Sequence, residues 1–503
     1  MLSYDELTSP ERELWDAFPE GRRVDLRTGV PDTDAPPAGD RWGPDRTVRA
    51  AVVATLLLGA NDDRSGTVAA LRLTGARITG RLNLSGTEIC HTFSLQGCRL
   101  DEAVQLHGAT TRTIEITNSW VPGINAELAR IEGDLDLRRS TFEGGSLILV
   151  NARMAGNLLI SDARILGPEE WAVRAGGLVL NGGVFGQRLT TQGGLRLPGA
   201  QLLSGLFLQG ARLGNTAGVA LAAGGMAAST VDCSQGFAAQ GGVLLRRARI
   251  EGLLTFEGAQ LNGDGVALDC VSMHVGDFDY RTATPLSGLV DLRSAQATWC
   301  QDSEQSWPRE VLLEGFTYGS IRFWDAPSAA GDDGPPTRDG VARRLAWLRR
   351  NPGYVPQPYE QLAGWYRQIG HDDDARRVLL AKQRHRRLTL SPSARAWGHL
   401  LDVTVGYGYR PWLAGVWLLA LTLLGTLAFS THSPSPVKRD EGSPFQPLVY
   451  TLDLLIPLGG LGQRTGWYWP NSSLQWLSYL LIAFGWMLTT AIIAGITRTL
   501  QKN

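Results

Sequence analysis

Residues 71–106 read LRLTGARITGRLNLSGTEICHTFSLQGCRLDEAVQL. In this stretch a pair of apolar residues separated by one position returns about every eleven residues, first at Leu71/Leu73 and next at Leu82/Leu84. The same spacing continues, with interruptions, to about Phe323. Repetition at a fixed period predicts a solenoid, in which each repeat buries its apolar side against its neighbours.

The apolar pair indicates a short β-strand. In an extended strand, residues separated by one position point to the same side, so the pair faces the interior and the residue between them faces water. If two repeats form one coil, the stretch holds roughly eleven or twelve coils, whose strands pair in parallel at about 4.8 Å. An ordinary β-sandwich with coincidental spacing is the alternative. The alternation and the many glycines exclude a helical array.

A second recurring element lies between the apolar pairs. It is seen at residues 75–78 (GARI), 210–213 (GARL) and 258–261 (GAQL). These units resemble the repeats of pentapeptide-repeat proteins and related right-handed parallel β-solenoids. The resemblance covers about half of the chain and implies a mainly β protein, but no particular activity, because such scaffolds serve many binding roles.

Composition argues against several classes of function. The 503 residues carry a formal net charge of −1, which gives no sign of nucleic-acid binding. The five cysteines show no paired Cys-x-x-Cys spacing, which predicts reduced, mostly buried thiols and no metal site. The sequence contains no phosphate-binding loop, dinucleotide fingerprint, zinc-protease helix or nucleophile elbow.

Some carboxylates alternate along predicted strands, at Asp134/Asp136 and Asp277/Asp279. Solenoid enzymes can build active sites from such pairs. Arg, Asn and Gln occupy the equivalent positions in other repeats, which indicates ordinary residues facing solvent. We therefore expect a non-catalytic protein without catalytic residues, cofactors or metal ions.

The sequence predicts five regions. Residues 1–65 hold two short helices, from Ser9 and from about Arg46, and are expected to cap the open end of the solenoid, residues 66–325. A Gly/Pro/Asp-rich linker, 326–340, leads to a helical juxtamembrane segment, 341–405, and then to a membrane domain, 406–503.

The helical segment contains a basic cluster. We expect this cluster to face anionic membrane lipids, because it precedes the first apolar span; a solvated helix face is the alternative. Its members are Arg376, Arg377, Lys382, Arg384, Arg386 and Arg387.

Two uncharged apolar stretches, at about 412–429 and 474–496, predict a hairpin of two transmembrane helices with aromatic residues at their starts. Between them, residues 447–462 are apolar but too short to span, which predicts an interfacial or re-entrant piece. The candidates for a pore segment there are Asp453, Gly459, Gly460, Gly462 and Gln463. The basic cluster and the absence of a secretory signal predict that the solenoid and the C-terminus lie in the cytoplasm, at the cytoplasmic (inner) membrane.

The order of cap, β-solenoid, helical segment and two spans is similar to that of actinobacterial membrane-anchored solenoid proteins. Some of these resemble the membrane adaptors of contractile injection systems, and the likeness includes residues 42–47 (WGPDRT) and 359–363 (YEQLA). It implies a non-catalytic adaptor or scaffold whose solenoid binds a large cytoplasmic protein assembly and docks it to the membrane. The expected partners are that assembly and anionic lipids, with no nucleic acid.

Two other functions stay open. The first is an oligomeric membrane pore regulated by the solenoid, in which the chain forms a homo-oligomer. The second is a solenoid enzyme, which would need a clustered acidic groove on one face.

Overall fold

In the computed structural model, residues 70–322 form a parallel β-solenoid of about 11 turns, which confirms the fold predicted from the eleven-residue repeat. Leu71 pairs with Phe93, and Phe93 pairs with Ile114, so two repeats make one coil. These three side chains are buried, whereas Arg72 between Leu71 and Leu73 is exposed. The apolar pair therefore fills the interior of each coil, as the period-two alternation predicts.

The structure describes residues 3–62, 66–323, 338–410, 412–438, 443–456, 460–470 and 472–500. Most of the predicted linker 326–340, and Gly459 of the candidate pore segment, lie outside this set. The chain divides into two compact units, Met1–Gln361 and Leu362–Asn503. The predicted boundaries placed residues 341–405 in one region, whereas this division falls inside that region.

Two parallel sheets run along the solenoid, and the chain passes from one to the other after every one or two strands. Among the described residues, the first sheet has 20 strands: Val24–Asp25, Ala70–Thr74, Glu88–Ile89, Thr92–Gln96, Thr110–Thr111, Ile114–Thr117, Arg130–Ile131, Leu135–Asp136, Arg153–Met154, Leu158–Leu159, Val179–Leu180, Gly183–Phe185, Gln201–Leu202, Gly205–Phe207, Ala227–Ala228, Val231–Asp232, Arg249–Thr255, His274–Asp279, Gln296–Asp302 and Thr317–Phe323.

The second sheet has 15 strands in the same part of the chain: Thr47–Arg49, Arg77–Thr79, Arg99–Leu100, Val104–Gln105, Trp120–Val121, Ile124–Asn125, Thr141–Glu143, Leu147–Ile148, Arg164–Arg174, Thr190–Arg196, Arg212–Ala222, Ala238–Leu244, Gln260–Asp269, Ser287–Asp291 and Val311–Leu312.

The helices lie before and after the solenoid strands. They are α1 Ser9–Ala17, α2 Pro31–Asp34, α3 Ala50–Leu57, α4 Arg338–Leu348, α5 Gln357–Gln368, α6 Asp372–Leu388, α7 Pro392–Val405, α8 Trp412–Ser430, α9 Pro447–Leu455, α10 Gln463–Gly466 and α11 Ser472–Leu500. Short antiparallel strands, Ser435–Pro436 and Trp467–Tyr468, pair in the second unit.

The N-terminal region supplies strands as well as helices. Val24–Asp25 pairs with the first sheet and Thr47–Arg49 with the second. The helix predicted from about Arg46 therefore begins only at Ala50, because the three residues before it are extended and hydrogen-bonded to the first coil. These strands occupy the open edge of that coil, which would otherwise expose unpaired backbone groups.

Side chains from the segment after the solenoid occupy the opposite edge. The backbone N–H groups of Leu313 and Gly315 donate to the side-chain oxygens of Asn351 and Gln357, each at 3.0 Å. Gln361 donates to the carbonyl of Tyr318 at 2.7 Å. These amide side chains thus take the place of a further strand, a role that was not predicted for the region after residue 340.

In the second unit, α8, α9 and α11 pack around an aromatic cluster. Phe429, Tyr450 and Trp469 are buried together, and Trp469 Nε1 donates to the Tyr450 hydroxyl at 3.1 Å. Gly485 of α11 lies so close to the Leu455 carbonyl of α9 that a Cβ atom there would clash. A residue without a side chain therefore permits this helix contact.

One helix among the described residues is long and apolar enough to cross a membrane. This is α8, with 19 residues and a mean hydropathy of 2.0 over its apolar window, of which 17% is buried. Length and composition alone are weak evidence for a span. The predicted second span, 474–496, falls within α11, and the two-helix hairpin stays a prediction.

Candidate functional site

Many outward positions on the first sheet carry polar side chains held by local hydrogen bonds. Asp136 accepts from Nε and Nη2 of Arg138 at 2.9 and 2.6 Å, and from its backbone N–H at 3.1 Å. Asp279 and Arg281 repeat the arrangement. The hydrogen bond to the carboxylate raises the pKa of both arginines. Two of the four alternating carboxylates are thus engaged in binding the arginine two positions later.

Three neighbouring outward positions on the first sheet break this polar pattern. Leu159, Phe185 and Phe207 pair across adjacent strands, and we call them the apolar ladder. Residues paired at the same position on successive coils form a column on the sheet surface. In this column Asp136 pairs with Leu159 on the coil before, and Asp232 pairs with Phe207 on the coil after. The two phenylalanine rings stack, with centroids 4.9 Å apart and ring planes 13° apart.

The apolar ladder faces away from the core and is half-buried. Leu203, in the turn that leads to the strand of Phe207, is 72% exposed. Aromatic side chains on a sheet surface supply large contact areas, and they are enriched in protein interfaces. These residues were not predicted, although the sequence offers a signal for two of them: three consecutive apolar residues occur at Leu158–Leu159–Ile160 and at Leu206–Phe207–Leu208.

Two grooves lie along the last coils of the first sheet. One, of about 620 Å³, has Gly276 and Gly319 in its lining, with Arg249 and His274. The other, of about 340 Å³, contains Trp299, which is 39% exposed and lies 4.3 Å, centroid to guanidinium carbon, from a neighbouring arginine. Both linings mix polar and apolar groups. Their open form suits contact with a broad surface better than the enclosure that small-molecule sites provide.

A buried polar cluster closes the C-terminal end of the solenoid. Asp302 accepts hydrogen bonds from the Tyr280 hydroxyl at 2.8 Å, from Trp307 Nε1 at 3.0 Å and from both Nη atoms of Arg344 at 2.7 Å. Burial raises the pKa of Tyr280 well above its ordinary value. The geometry is that of a structural ion pair with every carboxylate oxygen satisfied. The sequence signal was an arginine on the apolar side of α4, three positions after Val341.

The predicted basic cluster is largely paired within its own unit. The pairs are Arg376–Asp373 at 3.1 Å, Arg377–Asp374 at 2.9 Å, Arg384–Asp402 at 3.0 Å and Arg387–Asp402 at 3.1 Å. Burial raises the pKa of Asp402, but the hydrogen bonds from its two arginines lower it by more, so it falls below its ordinary value. Arg386 is exposed. Lipid contact by this cluster stays a prediction.

The described residues of the candidate pore segment are engaged in a hydrogen-bonded turn. The buried Asp453 accepts from the backbone N–H of Leu461 at 2.6 Å and of Arg464 at 2.8 Å. Gln463 is also buried and donates to Ser443 Oγ at 2.9 Å. Gly460 lies near the Asp453 carboxylate, and Gly462 has a φ of 81°. These polar groups connect the end of α9 to α10.

Within the described ranges, no group of three or more His, Cys, Asp or Glu side chains is placed to hold a metal ion. Cys98, Cys233, Cys270 and Cys300 are buried, and burial raises the pKa of Cys98 to about 11. Cys90 is exposed. The buried thiols are therefore protonated and unreactive near neutral pH.

Comparisons with protein-family models, with curated proteins and with solved structures found no match to this chain.

Proposed function

We propose that this chain is a non-catalytic, membrane-anchored adaptor whose cytoplasmic β-solenoid binds a large protein assembly and docks it to the cytoplasmic membrane. The observation that carries the proposal is the apolar ladder. It is a run of three outward apolar side chains in a column that is polar on both sides of it.

The ladder fits a protein partner for two reasons. Stacked phenylalanines are already ordered by each other, so binding would cost little additional side-chain entropy. Stable protein interfaces bury about 1,600 Å² in total around a small number of aromatic anchors, and the parallel strands on either side extend the contact surface. Phe185 and Phe207 are therefore the anchors that we assign to the partner.

Membrane attachment is supported by α8. Most of its apolar window is not buried in the protein, which leaves its side chains available to lipid. We infer a second span within residues 474–496, a cytoplasmic location for both chain ends, and right-handed winding of the coils, the hand that nearly all parallel crossover connections adopt. The alternative, a pore, would need free polar groups to line a conduit, whereas Asp453 and Gln463 are used in hydrogen bonds.

A contractile injection system is the first assembly to test, because the order of cap, solenoid, helical segment and spans resembles that of membrane adaptors of such systems. The experiment is co-sedimentation of the full-length protein, in mild detergent, with purified contractile injection particles. Phe185→Ser and Phe207→Ser should each weaken binding by about 2 kcal/mol, or roughly thirtyfold, as loss of an interface anchor does.

Arg72→Ser is the control, since Arg72 is exposed in the same outward register several coils before the ladder and lines neither groove. It should bind as the unmodified protein does, and thermal unfolding should show all three variants folded. Equal binding by all variants would remove the ladder from the interface. No binding by the unmodified protein, together with a discrete homo-oligomer that conducts ions in vesicles, would favour the pore instead.

A further inference from the structure

Helix α7 leaves an apolar stripe uncovered in the second unit. Trp397, Leu400 and Val403 recur at every third position and are 57%, 40% and 56% exposed. Residues three apart lie on one side of a helix, so these side chains form a continuous surface. A large apolar surface of this kind is unfavourable in water, and such surfaces are typical of sites that contact a protein or a membrane.

The opposite side of α7 is packed, which holds the stripe in place. Asp402 pairs with Arg384 and Arg387 of α6 at 3.0 and 3.1 Å. Leu401 packs against the buried cluster formed by Ala414 of α8 and Leu488 of α11. A Cβ atom on Gly398 would meet the Tyr407 hydroxyl at 2.8 Å. The exposure of the stripe is therefore a fixed feature of the unit.

The stripe is continuous with the apolar surface of α8. Trp417 of α8 donates from Nε1 to the Val403 carbonyl at 3.0 Å. Trp417 is itself 39% exposed, and the outward leucines that follow it on α8, such as Leu419 and Leu423, are more exposed still. One apolar surface thus begins on α7 and continues along the helix that is apolar enough to cross a membrane.

Positive charges accompany the stripe. Arg386, Arg395 and Arg410 are exposed, and within the described part of the chain none of them has an ion pair. Arg395 lies on α7 and donates to the carbonyls of Leu388 and Leu390 at 3.2 and 3.4 Å. Tryptophan and arginine together are typical of helices that lie in the headgroup region of anionic membranes.

We infer that α7 is an interfacial helix, with Trp397, Leu400 and Val403 inserted in the headgroup region of a bilayer that contains anionic phospholipid. This inference rests on the proposed membrane attachment. This inference assigns the lipid contact to α7 and not to the arginines of α6, because those arginines are largely paired. The helix lies along the membrane surface beside the start of the span.

The test places an environment-sensitive fluorophore at position 400 of the full-length protein through Leu400→Cys, with Cys90→Ser to remove the exposed native thiol. The protein is reconstituted in vesicles of phosphatidylcholine with or without phosphatidylglycerol. The emission should shift to shorter wavelength, and quenchers attached near the lipid headgroups should quench it more strongly than quenchers deep in the acyl chains. Omitting phosphatidylglycerol should reduce both effects.

Leu203→Cys is the control, because Leu203 is an exposed leucine of the solenoid, which this inference does not place in lipid. Its probe should stay in water. A third probe, at Leu419→Cys, reports on α8. If the α8 probe enters lipid while the position-400 probe stays in water, the inference on α7 fails and membrane attachment stands. If both probes stay in water, the attachment itself fails. A blue shift at position 400 without vesicles, at concentrations where the protein self-associates, would assign the stripe to a protein contact and overturn the inference.

Discussion

Replacing Arg344 by methionine should loosen the C-terminal end of the solenoid. The Arg344 and Asp302 side chains are 1% and 0% exposed and are joined by two hydrogen bonds of 2.7 Å. Methionine occupies much of the same space, but among the described side chains it leaves the Tyr280 hydroxyl and the Trp307 indole as the donors to the carboxylate. Removing one partner of a buried ion pair costs about 3–5 kcal/mol, because the remaining charge stays desolvated.

The loss should be local, because each coil of a solenoid contacts mainly its neighbours. Hydrogen exchange of the full-length protein, followed by mass spectrometry, can resolve this. Exchange in Gln296–Asp302 and Thr317–Phe323 should rise by roughly 10²–10⁴-fold, since each 1.36 kcal/mol is tenfold, up to the limit set by the stability of those strands. Exchange in Ala70–Thr74, at the other end, should not change.

Arg349→Met is the control, because Arg349 lies one turn further along the same segment and is exposed. It should change stability by less than about 0.5 kcal/mol. Combining Arg344→Met with Asp302→Leu removes the unpaired charge and should recover part of the loss. The reasoning is refuted if Arg344→Met leaves exchange in the last two strands within about threefold of the unmodified protein, or if exchange at the N-terminal end rises equally.

Three further predictions concern other parts of the chain. Of the five cysteines only Cys90 is exposed, so the native protein should react rapidly with one equivalent of maleimide, and the unfolded protein with five. Rapid reaction of two thiols in the native protein would contradict the burial of the other four. Burial raises the pKa of Glu11, but hydrogen bonds from Arg49 and a backbone N–H lower it by more. The folded-state pKa therefore lies below the unfolded one. The stability that ionised Glu11 contributes should be full above about pH 4.3, and it should be lost as the pH falls through the folded-state pKa. Exchange in α1, corrected for the intrinsic rate, should therefore rise on acidification more than in Glu11→Gln, and equal acid sensitivity would count against this. Gly485→Ala should destabilise the helices of the second unit by about 1–3 kcal/mol in detergent unfolding, whereas Gly415→Ala, where the space is open, should be neutral or stabilising; equal effects would argue against the close contact.

The contacts that close the C-terminal end of the solenoid were not predictable from the sequence. The repeat pattern marked the end of the solenoid near residue 323, and the helices after residue 340 were predicted to form a juxtamembrane segment. Arg344 reaches Asp302 from a separate helix, and Asn351 and Gln357 replace a strand by means of side-chain amides. Such pairings join residues about 40 positions apart, and no local periodicity reports them.

The sequence by itself determined the solenoid, because the burial of Leu71, Phe93 and their equivalents requires only that strands recur at a nearly constant interval. The same holds for α8, whose composition alone makes it a candidate span. Only the tertiary structure decided that Phe185 and Phe207 stack on the outer face. The coils differ in length, so the pairing of these two residues depends on how the extra residues of each coil are accommodated in its turns. The tertiary structure also decided that the basic residues of α6 are paired while the stripe on α7 is exposed, since charge pairing and exposure are set by which helices pack together.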